Sequence, residues 1–332
     1  MENINNYFDF IYQDIVIPFF KRLTVFFTPS HGLFIGYLFM AFLIAVLFYA
    51  YKNKTANPLK ASKMVIKAHK FTSKSSKDDF IFYFVDKIVF GFTYALILSS
   101  ALFFKEGTIN ILSFLSIPHF HVTPGIAINL VLTLGAIIVF DFAVFFEHFL
   151  SHKIRLLWEF HKVHHIAENL TPLTAYRSHP VNQGFFILIA SLFTGIYAGG
   201  ISYFFDAQHT YILFSGQNVF MFLLLMFGLN LQHSMVYLKY PPFIRDIFVS
   251  PAYHQLHHSS SVKHYDKNFG FIFSFWDRLF KTQIMPQADE VLTFGAAGER
   301  YDNYSGVKNM YVTPFKRVVK RLKKIIEGLR CQ

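Results

Sequence analysis

Residues 125–165 read GIAINLVLTLGAIIVFDFAVFFEHFLSHKIRLLWEFHKVHH, and this stretch decides the fold. From 125 to 146 it is mostly apolar, and Asp141 is its one charged residue. A hydrocarbon core about 30 Å thick is crossed by roughly 20 apolar residues in a helix, so the first half predicts a membrane span. The second half sets five histidines just past that span. His148 and His152 are four residues apart, and His161, His164 and His165 follow at i, i+3 and i+4. Such spacings gather side chains on one side of a helix. The chain therefore places a nitrogen-rich site at the end of a membrane helix.

Four further apolar stretches accompany this one: 32–51, 88–104 (lengthened by 80–85 ahead of the Asp86-Lys87 pair), 184–205 and 211–229. The last two are close enough to predict a helical hairpin. The expected fold is an all-α integral membrane protein with about four to five transmembrane helices. Composition agrees, since 53% of the 332 residues are hydrophobic and 44 are Phe, which points to lipid as the solvent. The single cysteine, Cys331, leaves no disulfide framework and no thiolate metal site. A metal would take nitrogen or oxygen ligands, and sixteen histidines supply nitrogen.

The net charge of +11 is not spread as a nucleic-acid binder would spread it. Lysines concentrate over 52–77 and 316–330, beside apolar sequence, which is how charge marks the cytoplasmic side of a membrane protein. Nucleic acid is thereby set aside as a partner. Lys52, Lys54, Lys60, Lys63, Lys67, Lys70, Lys74 and Lys77 assign the first loop to the cytoplasm. Alternation then brings the end of the third span, and everything after 229, to the same side. The N-terminus lacks the basic start of a cleavable signal, and 7–27 also reads as a helix lying in the interface. Near the other end, Thr313-Pro314 reads as an N-cap with proline at the first helical position. Phe315, Val318, Val319, Leu322, Ile325, Ile326 and Leu329 then interleave with Lys316, Arg317, Lys320, Arg321, Lys323 and Lys324. That pattern predicts a helix on an anionic membrane surface, or else a solvated helix packed on its own domain.

Downstream, His254-Gln255-Leu256-His257-His258 repeats the i, i+3, i+4 spacing, and His233 stands alone four residues past 229. Imidazole suits iron, zinc, copper and nickel. One tetrahedral zinc takes three or four such ligands. Nine histidines (His148, His152, His161, His164, His165, His233, His254, His257 and His258) exceed one ion and fit two ions sharing a cage. Neutral ligands leave the metal charge uncompensated, unlike the carboxylate-rich di-iron bundles, and so favour an oxidising site. The isolated His31, His69, His119, His121 and His209 read as structural.

The run 141–152, DFAVFFEHFLSH, resembles the first histidine box of the fatty acid hydroxylase and sterol desaturase superfamily. LWEFHKVHH at 157–165 resembles its second. YHQLHH at 253–258, then Asn268-Phe269-Gly270 and Trp276-Asp277-Arg278-Leu279-Phe280-Lys281-Thr282, resembles its third box and closing signature. The resemblance covers 130–283. It implies a cytoplasmic helical domain with a non-haem pair of iron ions, dioxygen as co-substrate, and hydroxylation or desaturation of a lipid (sterol, fatty acyl or ether lipid). It also makes all nine histidines ligand candidates. Phe145, Phe146 and Phe149 stand where the family often has Tyr-Trp before the first histidine and Arg after it. Met235 replaces an Asn and Ile166 a Ser, departures that bear on the substrate more than on the metal.

Asp141 lies two helical turns before His148. An ionisable group inside a span is costly and usually functional, so it is the catalytic candidate, expected to back a ligand histidine. His179, in Arg177-Ser178-His179-Pro180, reads equally as a tenth ligand or a structural residue. His264 reads as surface, and Glu147 and Glu159 as solvated helix faces. Three regions are expected: 1–124, transmembrane with a basic loop; 125–285, catalytic; and 286–332, a tail with the basic helix. No Gly-x-Gly-x-x-Gly loop, cysteine cluster or cytochrome b5-like segment occurs. Electrons are therefore expected from an external ferredoxin-, cytochrome b5- or reductase-type donor, in a bacterial inner membrane with the site facing the cytoplasm. A divalent-metal transporter would set its ligands in mid-span. A membrane zinc hydrolase would show a general base, as in His-Glu-x-x-His. Neither pattern is found.

Overall fold

The computed structural model describes residues 24–119, 123–205, 211–288 and 290–330. Most of the segment 7–27, together with His121, His209 and Cys331, lies outside them.

Helix α1 (Ile35–Lys52) is apolar and ends at the first lysine of the basic loop. That loop folds as α2 (Pro58–His69), started by Asn57, whose side chain accepts from the Lys60 N–H, and by Pro58 at the first position. Ala61, Val65 and His69 turn inward at four-residue spacing while Lys60, Lys63 and Lys67 stay exposed. Helix α3 (Lys74–Leu98) passes almost directly into α4 (Ser100–Phe114). These 41 residues run to about 60 Å at 1.5 Å per residue, so the span expected over 88–104 is lengthened at both ends.

Helix α5 (Ile126–Lys153) carries the first histidine box at its end, and α6 (Arg155–His165) carries the second. Helix α7 (Pro180–Phe204) packs against α4 almost backbone to backbone. A Cβ at Gly195 would lie 2.7 Å from the Ala101 carbonyl oxygen, and one at Gly199 2.6 Å from that of Lys105. Small residues four apart permit this approach in membrane helices. Among the described residues four helical stretches, α1, α3–α4, α5 and α7, are long and apolar enough to cross a membrane. Phe39, Leu47, Leu102, Phe103, Val131 and Ile196 stand exposed around them, a surface that water penalises and lipid solvates. The architecture is that of an all-α membrane protein.

The fifth span, expected over 211–229, is not a helix. The segment opens as a hairpin of β1 (Leu213–Phe214) and β2 (Gln217–Asn218). Ser215 and Gly216, both at positive φ, form the turn, as two-residue hairpins require. Eight residues of α8 (Val219–Met226) follow, and Gly228 at φ 94° starts a 3-10 turn, Leu229–His233. The polar pair Gln217-Asn218 and the glycine breaks explain why hydropathy alone misleads here. The chain nevertheless returns along α5. The Ile212 N–H and the Asn218 amide reach Thr133, near the start of α5, whereas His233 lies beside the boxes at its end. Fifteen residues separate Thr133 from His148, about 22 Å of helix.

The closing region contains α9 (Pro242–Arg245), α10 (Pro251–His257), α11 (Phe275–Leu279) and α12 (Val307–Arg330). Helix α12 starts six residues before the expected Thr313-Pro314 boundary, after Gly306 at φ 80°, and contains Pro314 in its interior. The Gly306 N–H is held by Asp78 at 3.0 Å, and Thr313 gives its hydroxyl to the Asn303 carbonyl instead of capping.

Candidate metal centre

Four elements bring the nine histidines together. His148 and His152 leave the last turns of α5, and His161, His164 and His165 come from α6. His233 ends the 3-10 turn, and α10 supplies His254 and His257, with His258 as its C-cap. They form two groups: His148, His152, His161, His165 and His257; and His164, His233, His254 and His258. Within each group the candidate ligand atoms lie within 4.8 Å of one another. The boxes interchange. Helix α6 gives His161 and His165 to the first group and His164 to the second; α10 gives His257 to the first and His254 and His258 to the second. Residues four apart nearly eclipse, whereas sequence neighbours diverge by about 100° around the axis, so an HxxHH box faces two ways.

In the first group the Nε2 of His165 lies 3.1 Å from that of His152, 3.2 Å from that of His161 and 3.1 Å from that of His257. In the second, His233 Nε2 lies 3.2 Å from that of His164 and 3.1 Å from those of His254 and His258. On the far side of the rings, Nδ1 donates to the Phe269 carbonyl from His148 (3.1 Å), to Asn182 Oδ1 from His161 (2.9 Å) and to the Lys267 carbonyl from His257 (2.8 Å). An imidazole donating from Nδ1 presents a bare lone pair at Nε2. The buried His148 Nε2 has no hydrogen-bond partner. Such lone pairs repel one another unless a cation lies among them. Imidazole nitrogens sit about 2.0–2.1 Å from an ion such as zinc, which spaces neighbouring donors about 3 Å apart. The donor set fits two metal ions. Burial, reinforced by neighbouring imidazoles, holds His164, His165, His233, His254, His257 and His258 well below the usual histidine pKa. Burial also brings His161 to about 4, so these rings stay in the neutral, ligating form.

Behind the ligands stand residues to which sequence reading assigned other roles or none. Asn182, with no spacing to announce it, accepts from His161 and donates to Glu147 Oε1 at 2.6 Å, to which Ser151 also donates. Glu147 is thus a buried support and not a solvated face. Glu159 is buried too, paired with Lys162 and with Arg321 of α12. Burial alone would raise its carboxyl, but those two cations hold it below its ordinary value. Asp141 does not back a histidine. Its oxygens accept from the N–H groups of Ile272 (2.7 Å) and Phe273 (3.1 Å) and from the Trp276 indole (2.9 Å), fastening the closing segment to α5. Asp277 does the same for Phe269, Gly270, Tyr253 and Thr282. Asn268-Phe269-Gly270 and Trp276-Asp277 were legible as a signature, and the structure shows a scaffold.

His179 lies outside both groups. Its Nδ1 accepts from the Val181 N–H and its Nε2 donates to the Tyr311 carbonyl, so it caps α7. His264, expected at the surface, is buried against Glu290 at 3.2 Å. His31 stacks on Tyr176, and His69 bonds the Val65 carbonyl, both structural.

A cavity of about 450 Å³ borders the centre. His148 and His161 of the first group and His164, His233 and His254 of the second line it, with Phe140, Val144, Phe186, Met221 and Leu225 on its apolar side. Both histidine groups therefore face one chamber.

Residues 133–282 match the fatty acid hydroxylase family. Over about half of this chain, the alkylglycerol monooxygenase of Danio rerio is 25% identical (46% of this chain, 30% of the relative). That of Caenorhabditis elegans is 24% identical (47% and 27%). The ornithine lipid hydroxylase OlsE of Rhizobium tropici is 28% identical (49% and 45%). The chain thus spans less than half the length of each of these relatives. No solved structure matches significantly. All nine histidines, and the asparagine, carboxylates and peptide groups that orient them, fall inside the residues that match the fatty acid hydroxylase family.

Proposed function

We propose that the chain is a membrane-bound oxygenase that holds two iron ions between its five-histidine and four-histidine groups and hydroxylates, or desaturates, a lipid. The single observation that carries this reading is the shared chamber: both histidine groups line one largely apolar cavity. The iron pair, when bound, would supply reduction of dioxygen with two electrons and two protons from outside: in hydroxylation one oxygen atom enters a C–H bond and the other leaves as water, and in desaturation two hydrogens leave the lipid and both oxygen atoms leave as water. The chain's own part is to keep nine imidazoles neutral and aimed. Phe140, Val144, Phe186 and Met221 exclude water from the lipid carbon presented there. The acceptor–donor chain Glu147–Asn182–His161 keeps one ligand ring in register.

The metal centre belongs to the cytoplasmic face, on the side of the basic α2. Helix α12 carries exposed Phe315, Val319, Leu322, Ile325 and Ile326 beside exposed Lys316, Lys320, Lys323 and Lys324. It would lie on anionic lipid of that face, and an external ferredoxin-, cytochrome b5- or reductase-type donor would dock nearby. The test is metal analysis of the full chain purified in mild detergent, with a Mössbauer spectrum, followed by lipid profiling of expressing cells under oxygen. Two coupled irons per chain and a new oxidised lipid are expected. One zinc and no iron after iron-supplemented growth would replace this reading with a hydrolase or a metal-handling protein.

A further inference from the structure

Among the described amides lining the chamber over the two histidine groups, Gln232 is the one with a buried atom left without a hydrogen-bond partner. Gln232, 2% exposed, donates from Nε2 to the Phe271 carbonyl at 2.6 Å. That bond fixes which way the amide faces, because a carbonyl can only accept. Its Oε1 then points elsewhere, and it is buried without a partner. The neighbouring chamber amides are engaged: Gln217 Oε1 accepts from the Tyr37 hydroxyl at 2.8 Å, and Asn230 donates to the Gly32 carbonyl at 2.8 Å. Buried acceptors left empty are costly and uncommon. Gln232 also precedes His233 and lines the same chamber as the second histidine group. Among the described residues lining it there is no lysine or arginine, so hydrogen bonding by amides, and not a basic side chain, is what the chamber offers a polar lipid group.

We propose that Gln232 Oε1 anchors a hydrogen-bond donor on the lipid, which makes the chamber selective for lipids bearing a hydroxyl or amide N–H close to the carbon presented to the metals. The proposal rests on the reading of this chamber as the lipid site. Selectivity follows from unequal costs. A lipid lacking the donor buries Oε1 unsatisfied, and apolar contact does not replace the missing bond. One bond also fixes the distance between the donor-bearing atom and the histidines, so it selects which carbon is presented.

The experiment compares matched probes by titration calorimetry on the full metal-loaded chain in mixed micelles. The pairs are dodecanol with dodecyl methyl ether, and N-methyldodecanamide with N,N-dimethyldodecanamide. Wild type is expected to bind the donor-bearing member of at least one pair about tenfold more tightly. Which pair responds tells hydroxyl from amide. Gln232→Leu should bring the ratio near unity, and Gln232→Glu, which keeps an acceptor, should retain a preference; Gln232→Met serves if the leucine variant does not fold. Equal binding by wild type, or a preference that survives in the leucine or methionine variant, overturns the proposal and leaves Oε1 to ordered water. Iron is counted on the same preparations. A preference without iron would sink the oxygenase reading and keep the anchor; iron and turnover without a preference would do the reverse.

Discussion

The Nδ1 of His148 lies 3.1 Å from the carbonyl oxygen of Phe269, which ties a candidate ligand on α5 to a loop 121 residues later. The N–H of Phe269 is in turn held by Asp277 Oδ1 at 2.8 Å. Asp277 also takes the Gly270 N–H and the hydroxyls of Tyr253 and Thr282. Because Tyr253 precedes His254, one carboxylate braces both histidine groups from behind.

Asp277→Ala should therefore unsettle fold and site together. Four buried donors would lose their acceptor, a loss on the order of 3 kcal/mol, and iron content should fall well below that of wild type. Thermal unfolding in detergent with metal analysis reads both. An unchanged midpoint would mean that the closing segment does not hold the centre.

The division of each box between two groups makes a sharper prediction. His257→Ala removes a ligand from the first group and His258→Ala one from the second. Each variant should lose turnover and move iron per chain from two toward one. The two should also differ in the Mössbauer signal that remains. Identical spectra would show that the nine histidines act as one undivided site.

Asn182→Ala removes no histidine, yet it frees the Nδ1 of His161 and takes from Glu147 the donor it has besides Ser151. Partners of this kind are worth about 10–100-fold in metal affinity or activity. Chelator competition should show a loss of that size, larger than for Ser151→Ala, which leaves the His161 bond in place.

Much of the centre was legible because metal chemistry constrains residue type and spacing together. Nine histidines at i, i+3 and i+4 cannot serve many purposes. Their partition between groups was not legible, since it depends on the angle at which α6 meets α10. Asn182, Glu147 and Asp277 work through single hydrogen bonds, which leave no periodic trace. The missing fifth helix has another cause. Hydropathy over 211–229 reports apolar composition, and an exposed hairpin carrying Leu213 and Phe214 ahead of an eight-residue helix is as apolar as a span. Asp141 misled because an acid in a membrane helix satisfies itself as well with peptide N–H groups as with a ligand ring.

Gly199 and Gly200 are neighbours that should respond oppositely to the same change. A Cβ at Gly199 would meet the Lys105 carbonyl oxygen at 2.6 Å, whereas one at Gly200 meets nothing within 4 Å. Gly199→Ala should push α4 from α7 and destabilise by about 1–3 kcal/mol. Gly200→Ala should stabilise by up to about 1 kcal/mol, through helix propensity alone. Unfolding midpoints that shift in the same direction would refute the close packing of these helices.

His179 makes the stability of the domain depend on pH. Burial, only partly offset by the Tyr311 carbonyl, pushes its imidazole down to about 4 from an ordinary value near 6.5. The unfolded chain therefore binds a proton between those values that the folded chain refuses, so stability rises with pH across this window. The contribution is complete above about pH 6.5 and is lost as pH falls through about 4, at about 1.4 kcal/mol per pKa unit. The mechanism is local. Nε2–H already donates to Tyr311, so the added proton must go to Nδ1, where it abolishes the acceptor that caps α7 and sets a cation at a helix N-terminus. His179→Asn keeps a capping acceptor and does not titrate. Its unfolding free energy should vary less between pH 4 and 6.5 than that of wild type, and taking the difference between the two proteins cancels the other buried histidines. Parallel profiles would show that His179 carries no proton-linked stability.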